Sequence, residues 1–254
     1  MDDKHLERER YDERARQARR SLPGAAGPQD GTESVPCVLR APYEHYENLL
    51  RQVLGPYARV LELGSGTGEF TGVLARSGAQ VTASDISADS LDLLRIKHPD
   101  WNHVSTEVCD MENLPFEDAS FDVVASAGSL SYGDNQRVLH QVHRLLKPGG
   151  CFVCVDSLNH NPVYRLNRYI HYLRGARSRS TLLRMPTCDL ILQYQKILGG
   201  TSTVRYFGSL SWLFGSLSTW GPEAWWAKRS DECDRLFHVR KSAFKFVLMV
   251  RKGG

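Results

Sequence analysis

Val60-Leu61-Glu62-Leu63-Gly64-Ser65-Gly66-Thr67-Gly68 is the stretch whose reading decides the fold. An apolar run ends in a carboxylate, breaks into alternating glycines, and gives way to the helix-like Glu69-Phe-Thr-Gly-Val-Leu-Ala-Arg-Ser77. That order predicts a buried strand, a tight turn and a helix, the setting in which a glycine-rich loop becomes a ligand site. Glycine there can take positive φ, and without a Cβ it lets a ligand lie against the backbone. Alternating glycines alone do not say which ligand. The flanks do.

Glu62, at the end of the predicted strand, would repel a pyrophosphate and attract a cation. The next strand, Gln80-Val-Thr-Ala-Ser84, ends at Asp85, about 20 residues past the glycine loop, where an acid accepts hydrogen bonds from a ribose diol. A cationic ligand with a ribose and no phosphate fits S-adenosylmethionine better than NAD.

With these residues in hand, the sequence resembles the class I S-adenosylmethionine-dependent methyltransferases, in particular the small-molecule group that includes ubiquinone- and menaquinone-type enzymes. Glu62–Gly68 is similar to the family's first motif, in which Glu62, Gly64, Ser65, Gly66 and Gly68 would hold the cofactor. Asp85-Ile86 resembles its ribose-binding acid and the apolar contact after it. Cys109-Asp-Met-Glu-Asn-Leu-Pro-Phe116 resembles the adenine-side motif, which implies Asp110 on the exocyclic amine and Met111 against the ring. Ser120–Ser126 is similar to the fourth strand, with Ser126 at its end, and Leu145–Gly150 to the turn before the fifth. The resemblance runs from about Ala58 to Asp156. It implies an α/β fold: a Rossmann-like, seven-stranded, mostly parallel sheet with helices on both faces and an antiparallel last strand.

Composition agrees with one large α/β unit. The chain has 254 residues, enough for a full core, and a net charge of +3, too small by itself to imply nucleic-acid binding. No RNA- or DNA-binding module is appended. Its six cysteines show no disulfide framework. Cys151 and Cys154 lie three apart in an apolar run, so on a strand they point to opposite faces, as core thiols of a reducing compartment. The N-terminus carries no apolar signal region, and the reading is a cytoplasmic protein. His140 and His143 share a helix face but lack a third ligand at a fitting spacing, so no metal site is expected.

Residues 1–40 read as a charged N-terminal helix and a Gly/Pro linker, with residues 41–254 as the methyltransferase domain. Tyr11 is the lone aromatic of the charged helix, in a Tyr-Asp position similar to the N-terminal lids of related enzymes, which makes it a cofactor contact. Ser21–Ser34 is the linker. Ala41–Leu54 predicts a helix with Pro42 in its first turn, and Tyr43 and Tyr46 face either the cofactor mouth or the core. Ser87 is a candidate N-cap for Ala88–His98. Val104–Val108, Phe121–Ser126 and Cys151–Asp156 read as further strands and Asn135–Leu146 as a helix. Glu62, Asp85, Asp110, Ser126 and Asp156 all fall at strand carboxyl ends, where a parallel sheet binds ligands. Ser242–Val250 reads as the closing strand at the antiparallel edge, and the tryptophans 220, 225 and 226 as packing.

A basic helical insertion is expected at about 157–200. Between Ser157 and Cys188 there is no acid, yet Arg165, Arg168, Arg174, Arg177, Arg179 and Arg184 all occur. Val163, Leu166, Ile170 and Leu173 line one helix face, with Arg165, Arg168 and His171 largely elsewhere. The plain reading is a covering helix with solvated arginines. The functional one makes Arg165, Arg168 and His171 the receptor for an anionic substrate, since Arg pairs with phosphate or carboxylate. Such a helix also suits contact with an anionic membrane face.

Methyl transfer from a sulfonium needs the acceptor positioned and water excluded, and a hydroxyl acceptor needs a base. His160, Tyr132 and Asp156 are the candidates, His160 first because it follows the fifth strand and histidine is the residue type suited to proton transfer near neutral pH. The segment His160–Arg174 is also similar to methyltransferases of bacterial surface-polysaccharide clusters. The expected acceptor is therefore a small molecule, anionic or lipid-linked, and the first expectation is O-methylation of a sugar in a nucleotide- or lipid-linked glycan precursor. The alternatives are an isoprenoid quinone or other lipid and, from another class, a non-catalytic adenosylmethionine-binding scaffold.

Overall fold

Arg59–Leu63 forms the first strand, β1, buried after its first residue, as a strand covered on both faces must be. In the computed structural model, which describes residues 3–20, 31–174, 178–217, 220–237 and 240–254, β1 lies inside a seven-stranded sheet. The other strands are β2 (Gln80–Asp85), β3 (Val104–Val108), β4 (Phe121–Ala127), β5 (Leu146–Ser157), β6 (Gly199–Phe207) and β7 (Lys245–Lys252), in the order β3-β2-β1-β4-β5-β7-β6. The strands β1 to β5 pair in parallel, while β7 runs antiparallel to both β5 and β6. The order turns back between β1 and β4, and the carboxyl ends on either side of that point open a crevice. The fold is the Rossmann-like one the sequence implies.

The closing strand departs from expectation in place. It is not at the edge: β7 is inserted between β5 and β6, and β6 takes the edge. Burial explains the choice. Phe246, Val247 and Leu248 are all buried on consecutive, opposite-facing positions, whereas β6 is mostly exposed or half-buried, which an edge strand tolerates and an inner one does not.

Helices cover both faces. On one side α2 (Ala41–Val53) and α3 (Thr71–Ala75) pack Tyr46, Leu50, Val73 and Leu74 against Val60, Val123 and Cys151. On the other, α5 (Asn135–Leu145) and α8 (Cys188–Leu198) pack Val138, Val142, Ile191 and Tyr194 against Leu61, Val124, Phe152 and Cys154. Cys151 and Cys154 thus fall in different core clusters, as their spacing predicts. Tyr46 is core, while Tyr43 stacks on Phe70 with ring centroids 4.7 Å apart. The helix α4 (Ala88–Lys97) is capped by Ser87, whose side chain accepts from the Ser90 N–H.

Beyond β5 come α6 (Pro162–Leu173) and α7 (Arg179–Leu183), and before β7 lie α9 (Ser211–Leu217) and α10 (Glu223–Phe237). Here the aromatic stretch is less packed than its composition implies: Trp220 and Trp225 are exposed. The N-terminal helix α1 (Asp3–Arg20) lies against α4. Arg16 reaches Asp89 at 2.7 Å and the Ser87 hydroxyl donates to Asp12 at 2.6 Å. Of the linker, residues 21–30 lie outside the described residues, as does Arg177 of the basic segment.

Tyr194 stacks on Phe152 at 4.9 Å, but its buried hydroxyl has no hydrogen-bond partner. Tyr194→Phe is therefore expected to leave stability unchanged or raise it by up to about 1 kcal/mol. Tyr194→Ala, which removes the ring, is expected to cost about 3–5 kcal/mol. Urea denaturation midpoints of the two variants check the pair.

Candidate active site

The glycine loop turns at the end of β1 because its hydrogen bonds tie it to β2. The Ser65 N–H donates to Ser84 O at 3.0 Å and the Gly66 N–H to Asp85 Oδ2 at 2.9 Å. Gly64 sits at φ +63°, and a Cβ there would come within 2.5 Å of the Ser129 Cβ. Conformation and space both demand glycine at that position.

Around this turn lies a cavity of about 290 Å³ at the carboxyl edge of the sheet. Of the residues singled out from the sequence, Glu62, Gly64, Ser65, Gly66, Asp85, Ile86, Asp110, Met111, Tyr11 and Tyr132 line it. Gly68 does not; at φ +92° it packs against Leu94 and serves the turn into α3.

The wall is strongly acidic. Glu62 is buried, accepts the Thr71 hydroxyl at 2.6 Å, and has its carboxyl pushed up to about 7. Burial is the main cause, reinforced by Glu69 and Asp85 and opposed by Thr71. Asp85 is also raised by burial, although the Ser87 and Gly66 N–H groups lower it. Asp110 accepts the Glu112 N–H at 2.9 Å through Oδ1 and the Lys4 ammonium at 2.5 Å through Oδ2. Lys4 also reaches Glu112 at 2.8 Å.

Lys4 and Glu7 are functional-site residues that sequence reasoning missed. Together with Tyr11 they bring α1 over the cavity as one wall. Glu7 is buried, paired with Arg10 at 3.1 Å and accepting the Thr181 hydroxyl of α7 at 3.1 Å. Tyr11 meets Tyr132 edge-to-face at 5.5 Å, and burial and that neighbour push its phenol upward. Their helix reads as undifferentiated charge, so only the four-residue spacing of Glu7 and Tyr11 could have signalled a common face.

Other expected site residues act one layer back or elsewhere. Ser126 is not in the cavity wall; its hydroxyl meets the Ser129 hydroxyl at 2.7 Å, and Ser129, which lines the cavity, donates to Leu63 O at 2.8 Å. Asp156 is buried and accepts the Leu130 N–H at 2.9 Å, so it fixes the turn that carries Ser129 and Tyr132 and does not reach the cavity.

His160 is corrected more fully. Its Nε2 accepts the Cys188 N–H at 3.0 Å at the start of α8, which occupies the lone pair a base needs. Arg168 is corrected likewise: it is 5% exposed, donates from Nη1 to Leu158 O at 3.0 Å, and lies 5.3 Å over the Phe244 ring. Arg165 and His171 are exposed on α6. None of these three lines the cavity, so they form no anion receptor there.

The residues present fit S-adenosylmethionine. Ser65 Oγ is buried at the cavity without a hydrogen-bond partner, and a Cβ on Gly128 would meet nothing within 4 Å. An open, glycine-lined space with an orphaned hydroxyl and several carboxylates suits a cation bearing a diol and an amine.

Comparison with known proteins agrees. Residues 61–154, a little over a third of the chain, match the family described as "Methyltransferase domain". A demethylmenaquinone methyltransferase of Chlorobaculum parvum is 31% identical over 132 residues, 48% of this chain and 54% of that protein. The chain spans about half, or less, of the length of such curated relatives.

Among solved structures, geranyl diphosphate C-methyltransferase from Streptomyces coelicolor, bound to Mg2+, geranyl diphosphate and S-adenosyl-L-homocysteine, aligns with TM-score 0.58 at 18% identity, over 82% of this chain and 79% of that one. The cyclase SpnF aligns with TM-score 0.60 at 18% identity, over 99% of this chain and 96% of that one. These likenesses concern the fold, which carries more than one chemistry.

Because the folded-state value of Glu62 lies above the ordinary 4.5, its contribution to stability is greatest below that pH and is lost as pH rises through about 7. In ligand-free protein, Glu62→Gln should remove a pH-dependent loss of up to about 3 kcal/mol between pH 4.5 and 8. Urea midpoints of wild type and variant at both pH values measure it. Gly64→Ala is expected to cost 2 kcal/mol or more, on the order of a strained, overpacked core site, and to abolish cofactor binding in equilibrium dialysis.

Proposed function

We propose that the chain is an S-adenosylmethionine-dependent methyltransferase acting on a small, lipid-borne acceptor. The observation that carries the reading is the acidic cavity itself, whose lining also includes the uncharged Phe70, Ala127, Gly128, Tyr11 and Tyr132. The cofactor supplies a methyl group on a sulfonium, activated without help from the protein. The chain's own work is to hold, orient and exclude water. Asp85 would accept from the ribose diol and Asp110 from the adenine amine, Glu62 would supply negative charge beneath the glycine turn, and α1 forms one wall of the cavity.

The acceptor follows from where the arginines lie. A nucleotide-linked sugar needs a cationic receptor beside the methyl group. Among the described residues Lys4 is the one lysine or arginine that lines the cavity, and Asp110 and Glu112 hold it. A neutral ring on a lipid tail suits these uncharged lining residues better. An isoprenoid quinone is the first reading, in line with the demethylmenaquinone methyltransferase relative. A sugar on a lipid carrier is the second, the lipid-linked part of the glycan expectation, which the same uncharged lining residues also accommodate.

Either acceptor must lose a proton, from a ring carbon after transfer or from a hydroxyl during it. Tyr132 keeps that role in this reading, with the lid carboxylate Glu7 in the same cavity.

Incubation with methyl-labelled S-adenosylmethionine and fractionated bacterial extract should place label in organic-solvent-extractable lipid. Label confined to water-soluble sugar nucleotides contradicts the acceptor reading, and no label with intact binding favours the non-catalytic one. Tyr132→Phe should lower kcat tenfold or more, in the range of lost general base catalysis, with cofactor Kd changed less than about twofold.

A further inference from the structure

The helix α6 is turned opposite to its composition. Its inward face is Tyr164, Arg168 and Tyr172, spaced four apart, with Tyr164 stacked on Phe244 at 3.9 Å and Arg168 bonded to Leu158 O. Its apolar face, Val163, Leu166, Tyr169, Ile170 and Leu173, points outward and is between 37% and 65% exposed. A helix sheds its apolar face to water only at a cost of roughly 25 cal/mol per Å², so a surface of this kind marks something that covers it.

Charge identifies the occupant. Arg165, Arg174 and Arg179 are exposed around this face, and no acid occurs between Ser157 and Cys188. Among the described residues none of the three arginines has a carboxylate within ion-pair distance. A second copy seated face to face would set these arginines against their equivalents. An anionic bilayer complements both features, since it takes the apolar residues below its headgroups and the guanidinium groups among its phosphates.

Position gives the contact a purpose. The helix leaves the carboxyl end of β5, on the same sheet edge as the cavity. It packs on α7, which contacts the turn carrying Tyr132 and bonds through Thr181 to Glu7 of α1. We propose that α6 and the start of α7 form a docking surface for an anionic lipid bilayer, which sets the cavity mouth toward the membrane. Beyond the reading above, this assigns the route by which a lipid-borne acceptor arrives, and it rests on that reading only for its purpose. No helix among the described residues is long and apolar enough to cross a membrane, so the contact is peripheral.

Flotation of the full chain with vesicles tests it directly and needs no acceptor. The bound fraction should rise at least tenfold when phosphatidylglycerol replaces about a third of phosphatidylcholine, and fall with added salt. Leu166→Glu with Ile170→Glu, both at exposed positions, should abolish binding, and Arg174→Gln with Arg179→Gln should weaken it roughly tenfold. Thermal melting should show both variants folded.

Equal binding to neutral vesicles, no binding to either, or unchanged binding by the Leu166/Ile170 variant overturns the proposal. So does a concentration-dependent dimer in sedimentation that this variant dissolves. Flotation without label in any lipid would keep the docking surface and sink the acceptor reading; label in lipid without flotation would do the reverse.

Discussion

A buried carboxylate at the end of a parallel strand is the constraint on which the rest of the site depends. Glu62 stands in the middle of the sheet because Val60, Leu61 and Leu63 around it are core. Burial works against its charge, and the fold answers with one hydroxyl, Thr71, while Glu69 and Asp85 press the other way. Such a group is poorly solvated as an anion and is relieved by a bound cation. The neighbouring turn has the opposite need: its Ser65 hydroxyl is buried and unsatisfied. One ligand that is cationic and rich in polar groups answers both.

The second layer explains how so few residues hold this arrangement. Ser129 closes over the turn by donating to Leu63 O, Ser126 supports Ser129, and Asp156 anchors the next peptide at Leu130. Ser126 and Asp156 do not reach the cavity, yet with Ser129 in its wall they fix where Gly64 and Tyr132 stand. The acidic wall also accounts for the position of α1. Lys4 lies on Asp110 and Glu112, so the positive end of α1 is drawn to the charge that the cavity concentrates.

The parts legible in the sequence are those set by local chemistry. Strand, glycine turn and helix follow from nearest neighbours, and an acid on the cavity wall, Asp85, at a fixed offset follows from the geometry of one βαβ unit. The N-cap at Ser87 and the opposite-facing Cys151 and Cys154 are of the same kind. Less legible was anything decided by long-range packing. His160 follows a strand end as a base would, but a main-chain N–H of α8, distant in sequence, takes its nitrogen. Arg168 has the spacing of a solvated residue, yet the Phe244 ring and Leu158 O draw it inward and roll α6 over. Periodicity gives the two faces of a helix; it does not say which one turns in.

Calorimetric titration of the purified protein at pH 7 with S-adenosylmethionine and, separately, NADH, in buffers of different ionisation enthalpy, tests the central claim most directly. S-adenosylmethionine should bind with a Kd between about 1 μM and 1 mM, the range of enzyme substrates. Part of a proton should be released as Glu62 ionises beside the incoming cation, and NADH should give no detectable heat. Tighter binding of NADH, or binding of S-adenosylmethionine with no proton released, would contradict that claim.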